Sequence, residues 1–110
     1  MTIINQLQSA KNASHDLALF TSTKKNTILL AVAKALRHNV SAILRANRKD
    51  LVAVPVDYLL TDRLTLTAER IEHIAHSIEA VVRLPDPVGE VLGKTQRLSG
   101  LHIERRRVPL

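Results

Sequence analysis

The residues of this 110-residue sequence whose types and spacing could do chemistry are two histidines, His73 and His76, and an arginine run, Arg105-Arg106-Arg107. Imidazoles three apart on a helix can reach one metal ion. No Glu-x-x-His or His-x-x-x-His pairing completes a ligand set around them, so a solvated helix face is expected instead, with Glu69 to His73 and Glu72 to His76 pairs four apart. The arginines, with Arg97 nearby, could clamp phosphates bidentately. Side chains alternate along a strand, however, so Arg106 points away from its neighbours and the run is not a one-sided patch. Phe20 and Tyr58 are the whole aromatic content, and single-strand nucleic-acid binders generally stack bases on aromatics. Nucleic-acid binding is therefore disfavoured.

Other sites fail on composition or spacing. There is no cysteine, which removes a thiolate nucleophile, thiolate metal ligands and disulfides together. Gly89, Gly93 and Gly100 form neither a G-x-G-x-x-G nor a P-loop pattern, so no phosphate cradle is present. Asp50, Asp57 and Asp62 lack the alternation of a calcium loop, and no Ser, His and Asp are placed for a triad. The sequence thus assigns no catalytic, no cofactor-binding and no metal-ligating residue.

A chain of this length is at most one domain with a small core. Hydrophobic residues are 45% of it, nearly all aliphatic. The net charge of +6 lies entirely in residues 1–50, which carry eight Lys or Arg against Asp16 and Asp50; residues 51–110 carry eight of each sign. Such an excess suits solubility or an anionic partner, a basic binding module being the alternative to an enzyme segment. The longest apolar run, Ile28 to Ala33, is too short for a membrane span, and no leader precedes it, so the cytoplasm is the expected location and no membrane partner is expected.

The elements that must position these residues are mainly helical. Ile4, Leu7, Ala10, Leu17 and Phe20 fall at helical spacings and predict a helix from about Thr2 to Leu19. Thr21-Ser22-Thr23 supplies an N-cap for a second, with Ile28, Leu29, Val32, Leu36 and Val40 on one face and Lys24, Lys25, Lys34 and Arg37 in water. Asn39 or Ser41 restarts a third, turning Ile43, Leu44 and Leu51 inward until Pro55. Val54 to Asp62 reads as a connection. Thr67 then caps a helix with Ile71, Ile74, Ala75, Ile78, Val81 and Val82 on its apolar side and Glu69, Glu72, His73, His76 and Glu79 facing away. Pro85 and Pro87 end it, and Glu90–Thr95 and Leu101–Val108 predict a hairpin closed through Ser99-Gly100. Neither of its faces is apolar enough to bury alone, and an isolated hairpin is marginal in water. The fold class is three to four helices with a C-terminal β-hairpin, divided as a helical segment 1–84 and a Pro-rich connection with hairpin 85–110.

Several of these pieces, in this order and spacing, resemble the gamma-glutamyl phosphate reductases, or glutamate-5-semialdehyde dehydrogenases. They are Ala13-Ser14 with Leu17-Ala18, Lys25-Asn26, Ile43-Leu44 with Ala46-Asn47 and Asp50, Thr61-Asp62-Arg63-Leu64 with Leu66-Thr67 and Arg70-Ile71. Leu84-Pro85-Asp86-Pro87-Val88-Gly89 and Gly100-Leu101 follow, then Ile103-Glu104-Arg105-Arg106-Arg107-Val108-Pro109-Leu110. Val54-Pro55-Val56-Asp57-Tyr58 departs from the pattern, standing where many relatives have a longer, helix-compatible stretch. The resemblance is to the amino-terminal segment of a much longer enzyme of aldehyde-dehydrogenase-like α/β fold, which continues into a nucleotide-binding region missing here. It implies NADPH-dependent reduction of glutamyl 5-phosphate to glutamate 5-semialdehyde in proline biosynthesis, through a cysteine thioester that hydride reduces. That cysteine and the nucleotide loops correspond to no position in 1–110. The expectation is a fragment inactive alone and binding no NADPH, whose partners are the remainder of the enzyme chain and further copies in a homo-oligomer.

Overall fold

The Thr2 hydroxyl accepts the Asn5 N–H (3.3 Å) and starts α1 (Ile3–Leu17). The computed structural model describes residues 2–110 and continues with α2 (Ser22–His38), α3 (Val40–Val52), α4 (Thr61–Leu64), α5 (Ala68–Val82), β1 (Val91–Gln96) and β2 (His102–Arg106). This is the expected helical segment followed by an antiparallel hairpin, with one addition: the end of the predicted connection winds into the single turn α4. The chain forms two compact units, Thr23–Leu84 and Met1–Ser22 with Pro85–Leu110.

Within Thr23–Leu84, α2 and α3 meet at a bend of 69°. Asn39 stands at the bend, and its side-chain amide donates back to the Ala35 carbonyl (2.8 Å), closing the end of α2. Its side chain consequently makes no capping bond to α3. Two residues beyond the Ala53 C-cap stands Pro55, whose missing N–H and ring prevent α3 from continuing. At α5 the Thr67 hydroxyl accepts the Arg70 N–H (3.1 Å), the predicted cap, and Glu69 in the first turn complements the helix dipole.

The fully enclosed core is small: Ala33, Ile71 and Ala75, at 0%, 1% and 0% exposure. Around it Leu29, Leu36, Val40, Ile43, Leu44, Leu51, Ile78 and Val82 are half-buried. The inward stripe of α2 is therefore Leu29, Ala33 and Leu36, continued across the bend by Val40 of α3, not the face centred on Ile28 and Val32, which are 39% and 43% exposed. α2 carries apolar side chains on more than one side, and apolarity alone selected the larger residues over Ala33. On α5 the same holds for Ile74 and Val81, which stay 45% and 50% exposed beside the buried Ile71 and Ala75.

The loop between α4 and α5 is tied to α3 by one side chain. Asn47 donates from Nδ2 to the Leu64 carbonyl and accepts on Oδ1 from the Leu66 N–H, both at 2.8 Å. This pairs an amide with the backbone as a neighbouring strand would. Hydroxyls tighten the same turn, Thr61 donating to the Tyr58 carbonyl (2.6 Å) and Thr65 to the Thr61 carbonyl (2.8 Å).

In the other unit, α1 buries no residue, and every residue of the hairpin is exposed. Asp86 accepts the Ser22 hydroxyl on one carboxylate oxygen (2.8 Å) and the Val88 N–H on the other (3.0 Å). The strands pair Lys94 with Glu104, Thr95 with Ile103 and Gln96 with His102, and a bulge between Val91 and Gly93 shifts the register. Gly100 closes the turn in the left-handed region (φ 85°), its N–H donating to the Arg97 carbonyl (2.9 Å), a conformation that a Cβ disfavours. Among the described residues no single helix is long and apolar enough to cross a membrane.

Asn47→Ala leaves a part-buried N–H and a carbonyl without partners, and urea unfolding should show a loss of about 1–3 kcal/mol. Thr67→Ala should cost about 1 kcal/mol by the same measurement.

Candidate functional site

Charged side chains converge where α2 meets α5. The Arg37 guanidinium donates from Nη2 to Glu72 (2.8 Å) and to Glu79 (3.1 Å), and from Nε again to Glu72 (3.0 Å). One turn before Arg37 stands Ala33, and between the two glutamates stands Ala75, both closed to solvent. Long side chains, the Arg37 guanidinium and the two glutamates, span from one helix to the other. Arg37 is thus not a freely solvated cation, nor do Glu72 and Glu79 face away from the protein, as apolar periodicity alone suggests. Each carboxyl is held below its ordinary value chiefly by the arginine hydrogen bonds, and Arg37 is pushed further up by Glu79 and then Glu72.

His76 approaches this cluster through Glu79 (Nδ1 to Oε2, 3.7 Å), one turn ahead, rather than through Glu72 behind it. Glu72 is already engaged by Arg37. The His73 side chain lies apart, along a groove on the other flank of α5. Among the described residues no group of three or more His, Asp or Glu side chains could hold a metal ion, and no buried side-chain polar atom lacks a hydrogen-bond partner. Here paired charges join helices; the cluster presents no activated nucleophile.

A second arginine does similar work at the α4–α5 corner. Arg70 donates from Nη1 to the carbonyls of Asp62 (2.6 Å) and Thr65 (2.7 Å), and from Nη2 to the Asp62 carboxylate (2.7 Å). The Asp62 carbonyl also takes the Thr65 N–H (3.3 Å), so Arg70 adds a second donor there and reaches the carbonyl of the Thr65 C-cap. Beside it runs the groove, about 510 Å³, whose lining includes Arg63, Leu66, His73, Ile74, Ile78 and Val81.

On the hairpin the arginine run is largely neutralised in place. Glu104 takes Lys94 from across the ladder (3.0 Å) and Arg106 from two residues along (2.8 Å), and both hold its carboxyl below the ordinary value, Lys94 first. Arg107 pairs with Glu90 (2.9 Å). Charges already matched by carboxylates within the same hairpin do not form a phosphate clamp.

No family model matches the chain. Over all 110 residues it is 43% identical to a gamma-glutamyl phosphate reductase of Koribacter versatilis, of which it spans 27%. To the protein of the same name from Brucella suis it is 45% identical over 106 residues, 94% of this chain and 25% of that one. The crystal structure of gamma-glutamyl phosphate reductase from Thermotoga maritima matches with a TM-score of 0.87 and 34% identity, over 96% of this chain and 26% of that chain. The chain corresponds to the amino-terminal region of the gamma-glutamyl phosphate reductase family. It spans about a quarter of the length of the relatives it matches.

The residues that carry this reductase resemblance have structural work in the fold. Asn47 ties down the Leu64–Leu66 backbone, Asp62 and Arg70 bind one another, Thr67 caps α5 and Asp86 anchors Ser22. Arg37, Glu72 and Glu79 were missed as a cluster because they lie 35 and 42 residues apart in sequence. The signal available was an arginine one turn beyond a small inward residue, facing a helix with carboxylates seven apart.

Because Glu72 and Glu79 are lowered when folded, their stabilising effect is present above the ordinary value of 4.5 and is lost as pH falls through the lowered folded values. The raised value of Arg37 matters only at strongly alkaline pH. Arg37→Met should melt below the wild type at pH 7, and the gap should narrow steadily once the pH drops below 4.5.

Proposed function

We propose that this chain is the amino-terminal part of an NADPH-dependent, cytoplasmic reductase that converts glutamyl 5-phosphate to glutamate 5-semialdehyde in proline biosynthesis, and that alone it catalyses nothing. The observation that carries this reading is identity of 43% sustained over the whole chain against only a quarter of the relative. The chain's own residues do not fit the nicotinamide cofactor. Gly89, Gly93 and Gly100 flank or lie within the hairpin, and none opens a helix whose N-terminus could take a pyrophosphate. With no cysteine either, the chain supplies no catalytic residue, and both functions belong to the rest of the enzyme.

In that setting residues 1–84 are a helical segment packing on the cofactor domain, and residues 85–110 lead through the hairpin toward the nucleotide-binding region. The hairpin also joins subunits of a homo-oligomer. What supports this role is a two-stranded ladder exposed along its whole length, with backbone groups on its outer edges open to a further strand.

Purified chain mixed with glutamyl phosphate and NADPH should show no loss of 340 nm absorbance above a protein-free control. Enzyme-dependent NADPH oxidation that releases phosphate would overturn the assignment.

A further inference from the structure

α5 carries more apolar surface than its own unit covers. Ile71 and Ala75 are closed off, yet Ile74 and Val81, on the adjoining flank, are 45% and 50% exposed. A helix apolar over so wide an arc is normally enclosed on both sides by a larger protein. The exposed flank is concave, a groove of about 510 Å³ running from Arg63 and Leu66 past His73 and Ile74 to Ile78 and Val81. At its end the two arginines differ. Arg70 is bound to Asp62 and two carbonyls, whereas the Arg63 guanidinium has no hydrogen-bond or ion-pair partner among the described residues.

We infer that this groove is the seat of an apolar segment from the remaining three quarters of the reductase polypeptide, and that the segment brings a carboxylate to Arg63. Two observations select that occupant. The structural relative keeps this fold at a TM-score of 0.87 while 74% of its chain lies outside the match, so a large body of protein is available to cover it. Charge complementarity selects the rest: an apolar trough ending in an unmatched guanidinium suits a segment that is apolar along its length and acidic at one end. The inference rests on the reading of the chain as part of a reductase, and it names which surface makes the contact.

The test uses the full 110-residue chain and a separately expressed polypeptide covering the part of the Thermotoga maritima enzyme outside the match, with binding measured by calorimetry. Ile74→Asp places a charge in the trough and Arg63→Glu reverses its end; each should weaken binding about tenfold or more. Arg63→Lys should recover most of the lost affinity, and Val56→Asp, at a fully exposed position of the connection, should leave it unchanged. Circular dichroism of each variant confirms its helices. Binding that ignores Ile74→Asp and Arg63→Glu would overturn the groove while leaving the reductase reading intact; no binding by the wild-type chain would overturn both.

Discussion

The helical unit depends on a constraint of size: three residues are fully enclosed, two of them alanines, so burial alone cannot hold four helical segments in register. Directional bonds supply what the core lacks. Asn47 is the most consequential, because its amide satisfies the Leu64 carbonyl and the Leu66 N–H together and so fixes where the chain turns into α5. From that turn Thr67 caps α5 and Arg70 reaches back to the Asp62 and Thr65 carbonyls. The orientation of α5 then decides which of its residues meet Arg37. A short amide contact on α3 therefore governs an ion pair on α2.

The same constraint explains why this segment is rich in polar motif residues while holding no reaction centre. Asparagine, arginine and threonine at these positions look like site chemistry in a sequence, but each is engaged by backbone or by a carboxylate of its own unit. Arg37 shows how far this goes: two glutamates share one guanidinium, and the side chain remains part-exposed. Such a pair contributes geometry more than affinity, since solvent screens it.

Element type was legible where periodicity and caps agreed. Thr67 with the Ile71, Ala75, Ile78 and Val82 spacing marked α5, and the spacing of Ile4, Leu7, Ala10 and Leu17 marked α1, though not its Thr2 cap; Pro55 and the Pro85–Pro87 pair marked ends. Less legible was which face turns inward. On α2 the sequence has apolar residues on more than one side, and that Ala33 rather than Val32 is enclosed depends on tertiary packing, which local periodicity does not report. The hairpin was legible as a hairpin, but the bulge between Val91 and Gly93 was not, because simple alternation assumes that every residue on one strand has one partner on the other. Tertiary charge pairs were invisible for the same reason: local spacing proposes Glu72 for His76, while Arg37, 35 residues earlier, takes Glu72 first.

Apolar surface left over after folding follows its own logic. A helix such as α5 carries apolar residues on two flanks, and a sequence window cannot tell the enclosed flank from the exposed one because both use the same residue types. Structure separates them by exposure: Ile71 and Ala75 are satisfied within the unit, Ile74 and Val81 are not. α1, whose Ile3, Ile4 and Leu7 are 74%, 77% and 65% exposed, has the second kind of face alone. Its amphipathic pattern, clear from sequence, is a pattern without an internal partner. Periodicity therefore reports that a face is apolar, and exposure in the folded unit reports which of those faces the unit itself leaves uncovered.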